Sequence, residues 1–266
     1  MKKLCLMTFV LSLGLWVANV TSGADCPVLV YQTDFSNNKG WQTNNAENYY
    51  LDSLAPGNPA PAYYQREIGG SEEYAYHLLP DLTPDVKWCL QYDILPVSSD
   101  WCGPARLSFT DKDMTIGGIN PTYLTLMYGH DDSGYLTDLQ WTDSEGNAGG
   151  VRLFHYTTGK WYENLVEWDP ETSQFYVLIK EQGGNTMVDK IVTSSDPGFN
   201  GGKWPTKFTD IDRLAMSTVG DFYAPGAVGI SYIDNIVVGQ IPEPATVLLL
   251  GLGGLALLRR KRGYEA

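Results

Sequence analysis

Apolar side chains in this chain recur at every second position over short runs, and Gly, Pro, Asn or Asp ends each run. A strand places successive side chains on opposite faces, so this period of two describes strands with one buried face. No stretch between the two ends sustains the 3.6-residue period of a packed helix. The runs predict strands over 28–35, 62–68, 74–79, 87–95, 105–110, 114–119, 123–128, 135–141, 151–156, 161–168, 174–180, 186–192, 214–219 and 227–239. In the run 87–95, Trp88, Leu90, Tyr92 and Ile94 share one face and Cys89, Gln91 and Asp93 the other. Asp169-Pro-Glu-Thr-Ser173 joins two strong runs, and Pro170 pre-sets the turn of that hairpin. Both faces of the last run hold apolar residues, which predicts a central strand covered on each side. Many short strands with polar turns have one economical solution, an all-β, two-sheet antiparallel sandwich.

The two ends of the chain follow different rules. Lys2 and Lys3 precede an apolar run, and Ser22-Gly23-Ala24 supplies small residues before a cut. Residues 1–24 therefore read as a secretory signal peptide with an apolar helix, and the mature chain starts at Asp25. Residues 25–240 form the sandwich domain, and 241–266 a separate tail. That tail begins Ile241-Pro-Glu-Pro244, continues uncharged over 245–258 and ends in Arg259, Arg260, Lys261 and Arg262. As a helix, the apolar part spans ~21 Å, short of a hydrocarbon core of ~30 Å. The basic cluster resists crossing the membrane and holds that end on the cytoplasmic side.

Pro242, Glu243 and Pro244, followed by the apolar run and the four cations, resemble the PEP-CTERM sorting signal of exopolysaccharide-producing Gram-negative bacteria. The resemblance implies transit across the inner membrane, a transient membrane anchor and an exosortase-type processing enzyme as partner. The final location it implies is the envelope or the extracellular space. It supplies an address rather than an activity.

Export bears on the cysteines and on the charge. Cys5 lies in the signal, leaving Cys26, Cys89 and Cys102 in an oxidising compartment. A Cys89–Cys102 disulfide would close a short loop, and Cys26 could replace either partner. With the signal's lysines and the tail's charges set aside, the domain holds 12 basic and 29 acidic residues, a formal charge of −17. A surface of that sign repels phosphate backbones and excludes nucleic acid as a partner. It suits neutral polysaccharide and cation-rich surroundings.

The order of features also resembles concanavalin-like and laminin-type jelly rolls. The matching pieces are Asp34-Phe35 with Gly40-Trp41, Trp161 through Val166-Glu-Trp-Asp-Pro170 into Phe175-Tyr-Val-Leu-Ile179, and Tyr232-Ile-Asp-Asn-Ile236. What the resemblance implies is an adhesive or glycan-binding module.

Four sets of residues could carry chemistry. Glu167-Trp-Asp-Pro-Glu171 matches in form the Glu-x-Asp-x-Glu element of retaining jelly-roll glucanases, whose carboxylates must approach within ~5–5.5 Å. Pro170 instead marks a turn and points Glu171 into water, so the expectation is a non-catalytic protein, with a glycoside hydrolase or lyase using Glu167 and Glu171 as the alternative. His77, His130 and His155 stand in no nucleophile motif. Asp131, Asp132, Asp143, Glu145 and Asn147 offer clustered loop oxygens of the kind calcium takes, so a structural calcium is the one cofactor considered. Aromatic rings near loops could stack on sugar faces: Trp101, Trp141 and Trp204, together with the pairs Tyr49-Tyr50 and Tyr63-Tyr64. Core packing is the competing fate of all these rings.

Overall fold

The computed structural model describes residues 28–37, 40–56, 61–68, 71, 73–80, 82, 86–100, 105–113, 122–196, 202–209, 211–217 and 226–241. Among these residues the strands, in chain order, are fifteen: β1 (Val28–Thr33), β2 (Gln42–Thr43), β3 (Tyr49–Asp52), β4 (Ala62–Ile68), β5 (Tyr74–Leu78), β6 (Lys87–Ser99), β7 (Ala105–Thr110), β8 (Tyr123–Asp131), β9 (Gly134–Thr142), β10 (Ala148–Phe154), β11 (Tyr162–Asp169), β12 (Gln174–Glu181), β13 (Thr186–Val192), β14 (Arg213–Ser217) and β15 (Val228–Ile241). They form two antiparallel sheets. The first has the order β13-β12-β11-β6-β15-β4-β3, with β1 also pairing β15, and the second the order β10-β9-β8-β7-β14-β5-β2. The signal segment, the tail, both expected terminal helices and the run 114–119 lie outside the described residues.

The alternation read from the sequence decides which side of each strand is buried. Trp88, Leu90, Tyr92 and Ile94 of β6 enter the shared core with Tyr162, Val166 and Trp168 of β11 and Phe175, Val177 and Ile179 of β12. Leu107, Phe109, Leu124, Leu126, Leu139 and Trp141 meet them from the second sheet. Trp88, Trp168 and Phe175 are at most 2% exposed, so each hides close to its whole ring from water. Burying one such side chain contributes roughly 1.5–3 kcal/mol. A charged pair also lies inside: Arg106 of β7 approaches Glu67 of β4 at 3.5 Å, with both side chains at 2% exposure or less.

β15 is central, as its two-sided apolar pattern predicts. It pairs β6 along most of its length, β4 over its first half and β1 over its second. A bulge interrupts its pairing with β6 between Asp234 and Val237, where Asn235 adopts a φ of 51°. Asn tolerates this left-handed geometry better than other residues with a side chain. The extra residue keeps Ile233, Ile236 and Val238 in the core while Asp234 and Val237 face outward.

β6 corrects one expectation. Cys89 is disulfide-bonded, and its side chain is fully buried although it sits on the face opposite Trp88. Cys102 and Cys26 lie outside the described residues. β6 runs on to Ser99, and ten residues of strand separate their ends by ~30 Å, whereas a disulfide needs Cα atoms within ~7 Å. The three residues from Ser99 to Cys102 cover at most ~11 Å, so a short Cys89–Cys102 loop does not fit this strand. Cys26 stands two residues before β1, whose Leu29 pairs Gly239, the cross-strand neighbour of Cys89. Chain reach therefore favours Cys26 as the partner.

Candidate functional site

The face of the first sheet that points away from the core carries side chains in rows, because cross-strand partners share a face. One row runs Tyr50–Tyr64–Tyr232–Leu95 across β3, β4, β15 and β6. Its sequence neighbours Tyr49, Tyr63, Ile233 and Ile94 are in the core, so the outward residues are fixed by alternation. The rings of Tyr50 and Tyr64 stack with centroids 4.7 Å apart, and Tyr64 meets the edge of Tyr232 at 5.5 Å. Below them Ala55, Ala62, Leu95 and Trp161 form a second small apolar cluster against which Tyr232 packs. Trp161 is held there by its Nε1–H, which donates to the carbonyl of Pro56 at 2.8 Å.

The ladder is an aromatic surface with polar tips. Tyr232 Oη donates to the carboxylate of Asp52 at 3.1 Å. Partial burial, then that hydrogen bond to an anion, pushes the Tyr232 phenol up to about 12. Burial and the neighbouring Tyr50 hydroxyl raise Tyr64 as well. Tyr50 ends the row on the edge strand and leaves 39% of its surface in water.

The next outward row shares β15 and β6 with the ladder and is acidic: Asp234–Asp93–Glu163–Lys180 across β15, β6, β11 and β12. Asn235, at the bulge, donates from its side chain to Asp93 at 2.8 Å and from its backbone to Asp234 at 2.8 Å. Burial is the main reason both carboxyls titrate high. Asp93 is pushed up to about 6 despite the Asn235 hydrogen bond, with Glu163 adding repulsion, and Asp234 to about 7. Beside this row lies a shallow depression lined by Gln91, Glu163, Leu165, Leu178 and Lys180.

The sequence candidates land in different places. Trp141 is 2% exposed in the core, its Nε1–H bonded to the Lys203 carbonyl at 2.9 Å. Trp204 is half-buried edge-on against it and donates to the Ser173 carbonyl at 2.7 Å. Trp141 is closed off in the core, which corrects the stacking role considered for it, whereas Trp204 stays partly open to water and Trp101 lies outside the described residues. The tyrosine pairs fare better, because alternation buries Tyr49 and Tyr63 and turns Tyr50 and Tyr64 outward.

The acidic loops do not meet. Asp131 is at the end of β8 and Asp143 follows β9, so the nine residues of β9 lie between them. Asp131 accepts from Ser133 and from Arg152 Nη2 at 2.7 Å. Asp143 accepts from the backbone N–H groups of Glu145, Asn147 and Thr206 and from both of the latter side chains. Burial alone would raise Asp143, but these donors hold it below the ordinary carboxylate range. Its lone pairs are spent on tying the segment at 202–209 to the β9–β10 turn. Asp132 and Glu145 are exposed. Among the described residues, no group of three or more His, Cys, Asp or Glu is arranged to hold a metal ion.

Glu167 and Glu171 diverge. Glu167 faces outward between Cys89 and Tyr176, with Oε2 2.6 Å from Lys87 Nζ. Glu171 sits exposed in the turn, where its N–H and that of Thr172 donate to Asp169 Oδ1. His130 stacks on Tyr135, His155 contacts the Tyr135 carbonyl and His77 packs between Tyr31 and Trp41.

Comparison with solved structures shows the same architecture at low identity. A botulinum neurotoxin type C structure, described by its interaction with two ganglioside molecules, is similar at a TM-score of 0.51 and 8% identity. The match covers 84% of this chain and 51% of that one, so this chain spans about half the toxin chain's length. Cellulose induced protein, Cip1, is similar at 0.49 and 10% identity over 79% and 96% of the two chains. A legume lectin-like domain from Entamoeba histolytica is similar at 0.48 and 8% identity over 84% and 100%. These likenesses concern fold. No curated protein matches the chain. Residues 240–262 match the PEP-CTERM protein-sorting motif, so the chain carries at its C-terminus the sorting tail of exosortase-processed exported proteins.

Proposed function

We propose that this is a non-catalytic binding module, delivered by its sorting tail to the cell envelope or extracellular matrix, that binds polysaccharide on the outward face of β3, β4 and β15. The tyrosine ladder carries this reading. Protein surfaces rarely keep a contiguous aromatic row without a use for it, and a sugar has both an apolar ring face and a rim of hydroxyls. Tyr50, Tyr64 and Tyr232 supply ring surface, and their hydroxyls and Asp52 supply hydrogen-bond partners in fixed positions. The small cluster around Trp161 anchors the row in advance, which lowers the entropy lost on binding.

The reading is non-catalytic because Glu167 is neutralised by Lys87 and Glu171 points from a hairpin tip. A double displacement needs two carboxyls facing one bound sugar. Calcium has no part in it, since Asp131 and Asp143 already spend their oxygens on their own loops. The test is co-sedimentation of the full chain with a panel of insoluble and gelled polysaccharides, with calcium and then with chelator, alongside an assay for new reducing ends. Retention on one class, indifferent to chelator and without chain cleavage, is expected. Chain shortening that Glu167→Gln or Glu171→Gln abolishes would overturn the reading in favour of a hydrolase.

A further inference from the structure

We infer that the carboxylate row Asp234–Asp93–Glu163 acts as a charge filter beside the tyrosine ladder, restricting the ligand to neutral polysaccharides and rejecting uronate polymers. The inference rests on the polysaccharide-binding reading above and adds the ligand class to it. Tyr232 and Asp234 are successive outward residues of β15, as Leu95 and Asp93 are of β6, so ladder and row lie one pleat repeat apart, ~7 Å. That is within the Debye length of ~8 Å at physiological ionic strength. A glycan long enough to cover the three rings therefore feels the row.

The groups facing the filter are few. Glu163 contributes from β11 and is exposed, Asp34 adds its charge to Asp234 from the end of β1, and Lys180 closes the row on β12. Asn235 bridges Asp93 and Asp234 without neutralising either. On the ladder side Asp52 adds a further anion, held to Tyr232. Three acids of the row face a single lysine at its far end, and the chain as a whole carries a net charge of −13. Arg66, the next outward residue of β4 after Tyr64, stands on the ladder's other flank, where it donates to Asn48 Oδ1 at 3.4 Å. A uronate carboxylate laid on the rings meets repulsion on the flank that holds Asp52 and the row, whereas a neutral pyranose meets hydroxyls and acceptors. The rings follow each other at the strand spacing, ~4.8 Å, about the length of one pyranose unit in an extended chain. Burial of Asp93 and Asp234 makes the filter weaken in acid, where both become neutral.

Affinity electrophoresis of the full chain, in gels holding either a soluble neutral β-glucan or alginate, tests this. At pH 8 and 50 mM salt the neutral glucan should retard the protein and alginate should not, and the glucan's effect should be unchanged at 200 mM salt. The triple variant Asp93→Asn, Asp234→Asn, Glu163→Gln should become retarded by alginate, with at least a tenfold gain in affinity. The unaltered protein should show part of the same gain at pH 5, which needs no variant to fold. Equal retardation by both polymers at pH 8, or an alginate response unmoved by the triple variant and by acid, would overturn the filter while leaving polysaccharide binding intact. Retardation by neither polymer, together with no retention on the wider panel, would overturn both.

Discussion

Asp234 and Asp93 face outward yet are almost closed off from water, at 2% and 7% exposure, beneath Asn235 and beside each other. Burial holds them protonated to about 7 and about 6, against 3.8 for an ordinary aspartate. Because the folded chain keeps these protons to higher pH than the unfolded one, it binds more protons between about pH 4 and pH 7. Their effect on stability is then most favourable below pH 4 and is lost as pH rises through 6 and 7. Thermal melts should show Asp234→Asn raising Tm at pH 8, by roughly 2–4 °C for about 1 kcal/mol in a domain of this size, with no gain at pH 4. A second residue-scale test concerns Asn235 and its φ of 51°. Asn235→Ala loses both the left-handed preference and the hydrogen bond to Asp93, and should cost about 1–3 kcal/mol in urea unfolding, whereas Asn235→Gly retains the backbone and should cost less.

At the scale of strands, the period of two located nearly every long element. β4, β7 and β13 carry the boundaries read from the sequence, and β8, β9, β11 and β12 differ from theirs by a few residues. β2 and β3 escaped notice because two and four residues are too few to display a period, although β3 brings Tyr50 to the ladder. β6 runs four residues past the run 87–95, through Pro96, which faces Ser231 at a register shift where the ladder tolerates the missing N–H. That longer strand is why chain reach favours Cys26 over Cys102 as the partner of Cys89. Peptide mapping under non-reducing conditions should find Cys89 joined to Cys26 and not to Cys102. The buried Arg106–Glu67 pair was invisible in sequence, because alternation gives the side a residue faces but not the charge waiting across the core. Removing one partner, as in Glu67→Ala, leaves the other buried and should cost about 3–5 kcal/mol in chemical denaturation. Replacing both with apolar residues of similar size should cost much less.

For the whole molecule, address and architecture were legible and the proposed binding face only half so. The sorting tail is a contiguous motif and needs no fold to be seen. The ladder and the carboxylate row are products of register: Tyr50, Tyr64 and Tyr232 come from three strands far apart in sequence, and only pairing makes them neighbours. Tyr50 and Tyr64 stood out as members of tyrosine pairs, whereas Tyr232 and Asp93 lay among ordinary strand residues, and Trp141, singled out as a loop ring, is in the core. Residue-resolved footprinting puts the central claim, that this outward face is where polysaccharide binds, to its most direct test. Tyrosine modification of the full chain, read by mass spectrometry with and without a neutral β-glucan, should show protection at Tyr50, Tyr64 and Tyr232 and none at Tyr176 of β12. Unchanged labelling of the three ladder tyrosines while the glucan is bound would contradict the account.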